Sequence, residues 1–169
     1  MSRAFVKEQD GVQPGDEIPE RPQSPRPNHV TPRGLALLKS QLETLKEERR
    51  QLAAAAENDM VAADRLRLVD RDIRYVEGRI ERAIVADLDA QPRDEVAFGA
   101  IVEVVDEQGK KHRFELVGED EAEVAEGRIS WASPLGQTLI GSGVGDTVVW
   151  RRPAGDAELE IVKITYPEG

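Results

Sequence analysis

Leucines set the first pattern in the chain. Leu35, Leu38, Leu42, Leu45 and Leu52 recur at intervals of three, four, three and then seven, with Arg49 at the skipped position. That is an a/d heptad seam on one helix face. A second seam follows in Leu66, Val69, Ile73, Val76, Ile80 and Ala83. Thr31-Pro32 opens the first helix: the hydroxyl suits a cap and proline suits the first helical position. Between the seams lie Ala53 to Asp64, including Glu57-Asn58-Asp59. One continuous helix also fits the spacing, because the seams differ in phase only by whole heptads. The turn chemistry of Asn58-Asp59 favours an antiparallel hairpin in which each seam buries the other. Each arm then has about 25 residues and runs roughly 37 Å.

Gln91-Pro92 ends the helical region, and beyond it the period changes to two. Ala100 to Val105 and His112 to Val117 read as strands around a Gln108-Gly109 turn. Ser133-Pro134 starts a short helix through Ile140, stopped by Gly141. Asp146 to Arg151 and Leu159 to Tyr166 form a last pair of strands. The fold class is α+β: a helical hairpin over 31–88, then a domain over 94–169 with a mainly antiparallel sheet.

Residues 1–30 have five prolines and few apolar groups, which predicts a flexible arm unable to offset its ordering entropy. Ala4-Phe5-Val6 is its one apolar cluster. The chain has no cysteine, which fits a reducing cytoplasm. It has no signal-peptide core or membrane-length apolar run, so the expectation is a cytoplasmic monomer without a membrane partner. The net charge of −10 is uneven. Residues 31–87 hold 11 basic and 11 acidic side chains, whereas 88–169 hold 8 and 17. An acidic C-terminal half argues against direct DNA binding. His29 and His112 are too far apart in sequence to suggest a metal cluster, and no P-loop or dinucleotide fingerprint is present.

Several groups of residues resemble the Gre-type transcript cleavage and elongation factors. Thr31-Pro32-Arg33-Gly34-Leu35 resembles the family's opening, and Arg65-Leu66-Arg67, Asp70-Arg71 and Arg74-Tyr75 resemble its returning arm. Phe98-Gly99-Ala100, His112-Arg113-Phe114, Ile129-Ser130, Ser133-Pro134-Leu135-Gly136, Leu139-Ile140-Gly141 and Gly145-Asp146 follow in the family's order. The resemblance spans about 31–166 and leaves out the proline-rich arm. It implies an antiparallel coiled coil followed by an FKBP-like domain that docks at the rim of the RNA polymerase secondary channel. The coiled coil would carry an acidic tip to the polymerase active site. The factor is then no enzyme and has no cofactor of its own. The tip helps hold a Mg²⁺ shared with polymerase, whose own centre cuts backtracked RNA, a reaction that two metals suit by stabilising the attacking and leaving oxygens.

This chain departs from the family at the tip. Ala54 stands where the family has an aspartate, and Asp59 follows Glu57-Asn58. Glu57 and Asp59 are the candidate catalytic pair and transient Mg²⁺ ligands; the competing reading has Asp59 or Asn58 capping the second helix and Glu57 in solvent. The hairpin also lacks roughly two heptads, about 10 Å per arm. Two functions therefore stand side by side: stimulation of cleavage, or occupation of the channel without cleavage. Arg67, Arg71 and Arg74 form a basic face, either a contact for polymerase or the RNA 3′ end, or a solvated face paired with Asp70 and Asp72. Trp131, Ala132, Ser133 and Pro134 resemble the polymerase-docking loop, with Ala132 where relatives carry a polar residue; Trp131 suits a core as well as an interface. A prolyl isomerase is the reading from another class, with only Phe98, Phe114, Trp131, Trp150 and Tyr166 to line a pocket.

Overall fold

The two heptad seams close on each other. The computed structural model describes residues 17–168. In it α1 (Pro32–Ala55) and α2 (Met60–Glu81) form an antiparallel pair joined at Ala56–Asp59. Leu38, Leu45, Val69, Ile73 and Val76 are buried between them, with Leu35, Leu42, Leu52 and Ile80 packed alongside. This excludes the single continuous helix. The sequence explains both helix starts. Thr31 accepts a hydrogen bond from the Gly34 N–H at 2.9 Å, and Pro32 takes the first helical position. Two ion pairs bridge the arms outside the seam, Arg65 to Glu48 at 2.9 Å and Arg49 to Asp70 at 3.8 Å. Arg49 at the skipped heptad position thus reaches across the pair instead of entering the core.

The second module is a five-stranded sheet in the order β5-β4-β3-β7-β6. Its strands are β3 (Ile101–Asp106), β4 (Lys111–Val117), β5 (Arg128–Ser130), β6 (Thr147–Trp150) and β7 (Ala157–Thr165). All neighbours are antiparallel except β4 and β5. The short helix α3 (Pro134–Leu139) places Leu135 and Leu139 in a core with Val102, Val104, Leu116 and Ile161. In β7 the alternation slips. The register with β3 jumps from Glu103–Lys163 to Val104–Ile161, leaving Val162 as the extra residue of a bulge. Ile161 and Ile164 therefore both turn toward the core although they are three apart.

The arm departs from the sequence expectation. Ala4-Phe5-Val6 lies outside the described residues. Residues 17–30, read from composition as flexible, are held in place. Asn28–Val30 form strand β1, parallel to β2 (Ala83–Val85). Upstream, the Gln23 side-chain amide donates to the Tyr75 carbonyl at 3.0 Å, and the Arg21 guanidinium stacks over the Tyr75 ring at 3.8 Å. Counting apolar groups missed these polar and stacking anchors. Two glycines make room for them. A Cβ on Gly78 would meet the Gln23 amide nitrogen at 2.7 Å, and one on Gly118 would meet the His29 carbonyl oxygen at 2.5 Å. Glycine inside a helix costs about 1 kcal/mol relative to alanine, so the Gly78 notch is a real concession to the arm.

The seam carries the stability of the hairpin. Ile73→Ala is expected to destabilise the protein by about 2–4 kcal/mol, read from urea unfolding followed by helix ellipticity.

Candidate functional site: the hairpin tip, its basic face and the docking turn

At the tip, Asp59 is the N-cap of α2. Its Oδ1 accepts from the backbone N–H of Val61 at 2.9 Å and of Ala62 at 3.3 Å. Two of the four orphan donors of the helix start are satisfied this way, as an aspartate in that position is suited to do. Glu57 sits in the turn, exposed, with no hydrogen bond or ion pair among the described residues. Ala54 is exposed on the last turn of α1, and Met60 and Val61 stand out at 67% and 78% exposure. The tip thus offers one uncommitted carboxylate, one further oxygen on Asp59, and an apolar collar. Such a donor set suits a Mg²⁺ only where other ligands come from elsewhere. Among the described residues no three His, Cys, Asp or Glu side chains gather as a metal site.

Arg67, Arg71 and Arg74 do share one face of α2, and that face is where the arm lies. Arg74 makes a forked contact with Glu20, at 3.0 and 3.1 Å from Nε and 2.5 Å from Nη2. Arg71 pairs with Asp72 at 3.2 Å, and Arg67 approaches Asp64 at 3.9 Å. The partner of Arg74 is therefore a residue of the arm, which i,i+4 reasoning along the helix cannot find. The Arg74 bond, assisted by its charge, holds the Glu20 carboxyl below the ordinary carboxylate value.

The turn after β5 carries Trp131 to Pro134. Ser133 caps α3: its hydroxyl donates to the Ser130 carbonyl at 2.7 Å and accepts from the Gly136 N–H at 3.1 Å. Pro134 is the first helical residue, and Ala132 donates its N–H to the Ser130 hydroxyl at 3.1 Å. Trp131 is half-buried. It meets the His29 ring edge-on at 5.1 Å, and His29 also lies 5.8 Å from Phe98. These three rings, with Ile140 and Gln137, line an open groove. Trp131 is thus part core, part surface, and its ring partner comes from β1. His112 packs on β4, stacked beside Phe114, with Nε2 3.0 Å from Asp106. That contact is the main reason the Asp106 carboxyl lies below its usual value. Phe114 and Trp150 meet at 5.6 Å on this side, and the Tyr166 hydroxyl accepts from the Ala97 N–H at 3.2 Å. Of the five aromatic residues considered for an isomerase pocket, Phe98 and Trp131 line the open groove with His29, and Phe114, Trp150 and Tyr166 pack on the sheet core.

Sequence reading missed the joint between the modules. Arg79 is 1% exposed. Its Nε donates to Asp120 at 2.7 Å, and its Nη2 donates to Asn28 at 2.7 Å and reaches Glu119 at 3.4 Å. Asn28 returns a bond to the Arg79 carbonyl at 2.7 Å. The Tyr75 hydroxyl donates to Asp120 at 3.0 Å; burial first, and then that carboxylate, push the phenol above its ordinary value. On the α1 side, Glu121 accepts from Thr31 and Arg33, both at 2.5 Å, while Arg33 also reaches Glu115 at 2.8 Å. The signal was present in the run Glu119-Asp120-Glu121, but no spacing rule pairs it with residues 40 to 90 positions away.

Removing the cap and removing the free carboxylate have different consequences. Asp59→Ala is expected to destabilise the hairpin by about 1 kcal/mol. Glu57→Ala should stay within about 0.5 kcal/mol of the parent. Thermal unfolding of both variants checks this.

Known proteins are similar to this chain in sequence. Residues 91–166 match the family described as transcription elongation factor, GreA/GreB, C-terminal. The transcription elongation factor GreB of Neisseria meningitidis serogroup B is 35% identical over 153 residues, covering 82% of this chain and 94% of that protein. GreA of Alkalilimnicola ehrlichii is 36% identical over 152 residues, covering 81% and 96%. The solved structure of Thermus aquaticus Gfh1 is 26% identical, covers 82% of this chain and 98% of that one, and has a TM-score of 0.41. With a helical hairpin, an antiparallel sheet module and this identity over most of its length, the chain belongs to the GreA/GreB family of transcription elongation factors.

Proposed function

We propose that this elongation factor binds RNA polymerase as an accessory protein, docks through the turn Trp131 to Pro134, and inserts its hairpin into the secondary channel without stimulating RNA cleavage. The observation that carries the last point is Asp59. Its Oδ1 is held by two backbone donors at the start of α2, and Ala54, on the last turn of α1, stands where the resemblance to the family places an aspartate. Glu57 is left as the one uncommitted carboxylate of the tip. A metal-handling tip must bring its oxygens to within about 2.1 Å of Mg²⁺, and a hairpin about 10 Å shorter per arm works against that reach.

Docking is supported by the build of the turn. Ser133 and Pro134 are fixed by the α3 cap, so the turn is presented on a rigid element. Ala132 offers no side-chain hydrogen bond, and the half-buried Trp131 beside Phe98 and His29 supplies apolar area in its place. The acidic balance of residues 88–169 suits a basic protein surface better than a phosphate backbone. Among the described residues no helix is long and apolar enough to cross a membrane.

The reading in which Glu57 and Asp59 stimulate cleavage has one observation in its favour: Glu57 is exposed and unpaired at the far end of a stiff arm. Mixing the protein with a backtracked elongation complex separates the two. The expected outcome is no shortening of the RNA, together with displacement of a cleavage-competent Gre factor. Shortening that is lost in Glu57→Ala would establish the cleaving reading instead.

A further inference from the structure

Between residues 20 and 31 the arm makes contacts with both modules. On the α2 side, Gln23 fills the notch at Gly78 and Arg21 stacks on Tyr75. On the sheet-module side, the Ser24 hydroxyl donates to Glu119 at 3.2 Å and Arg26 lies 3.7 Å from the same carboxylate. Asn28 then exchanges two bonds with Arg79. Among the described residues, side-chain hydrogen bonds join the hairpin to the sheet module around Arg33 and Thr31 on Glu121 and around Tyr75 and Arg79 on Asp120. Two polar legs by themselves define one axis of rocking for the prong. The arm is a third leg, off that axis.

We propose that residues 20–31 are a brace that holds the hairpin at one angle to the sheet module and so sets where the tip lies. The geometry makes such a brace consequential. α1 has 24 residues, a lever of roughly 36 Å, so a swing of about 10° at its base moves the tip by about 6 Å. Misplacement of about 1 Å is enough to matter at a reacting centre or a fitted channel. The outer contact, Glu20 with Arg74, joins side chains that are 60% and 54% exposed, so it adds little. The working anchors are Gln23 at Gly78, Ser24 and Arg26 at Glu119, and Asn28 at Arg79. This inference goes beyond polymerase binding, and its test contains no polymerase.

The chain has no native cysteine, so two introduced ones report alone. Spin labels at Ala54→Cys on the exposed tip and Val149→Cys on β6 give the tip-to-sheet distance distribution by double electron–electron resonance. The full-length parent should show one narrow distribution. Gly78→Leu, which fills the notch, and the full-length triple variant Q23A/S24A/R26A should each broaden it about twofold while helix ellipticity is kept. If Gly78→Leu fails to fold, the triple variant decides, since its side chains leave the heptad seam untouched. An equally narrow distribution in the folded triple variant, or a broad one in the parent, overturns the brace.

Discussion

A guanidinium removed from water costs several kcal/mol unless its protons find fixed partners. Arg79 is that group in this protein. Its partners come from two separate parts of the chain, both outside its own helix: Asn28 in β1, and Glu119 and Asp120 in the loop after β4. Neither part makes all of these bonds alone. The hairpin, the arm and the sheet module must therefore assemble together, and a hydrophobic contact of the same area would impose no such condition.

The same loop accounts for three of the 17 acidic residues in the C-terminal half. Glu119, Asp120 and Glu121 all point at the hairpin and arm, and the Glu121 side chain is 2% exposed between Thr31 and Arg33. Their charge is internal to the joint and is matched there by Arg26, Arg33 and Arg79. The contributions differ with exposure. Arg33 is 48% exposed and screened by solvent, whereas Arg79 is enclosed, so the Arg79 leg is the stronger.

Local rules were enough for most of the fold. The heptad seams, the Thr31-Pro32 and Ser133-Pro134 caps, and the period-two strands were legible because each follows from residues within a few positions of one another. Strand β5 was not, since its three residues carry too short a pattern. The arm failed for a different reason: composition counts apolar burial, whereas residues 17–30 are held by Gln23, Asn28 and the space above two glycines. At the tip, the sequence showed both the acids and the cap chemistry, and the geometry assigned Asp59 to the cap. The joint was invisible because its pairs are separated by 40 or more residues.

If Arg79 makes the assembly conditional, the two modules should unfold as one. Both tryptophans, Trp131 and Trp150, lie in the sheet module, while α1 and α2 carry nearly all the helix. Tryptophan fluorescence and helix ellipticity therefore report the two modules separately in a single urea titration. Coincident transitions in the parent that separate in Arg79→Met are the predicted result. Transitions already apart in the parent, or still coincident in that variant, would contradict a joint that depends on this one buried charge.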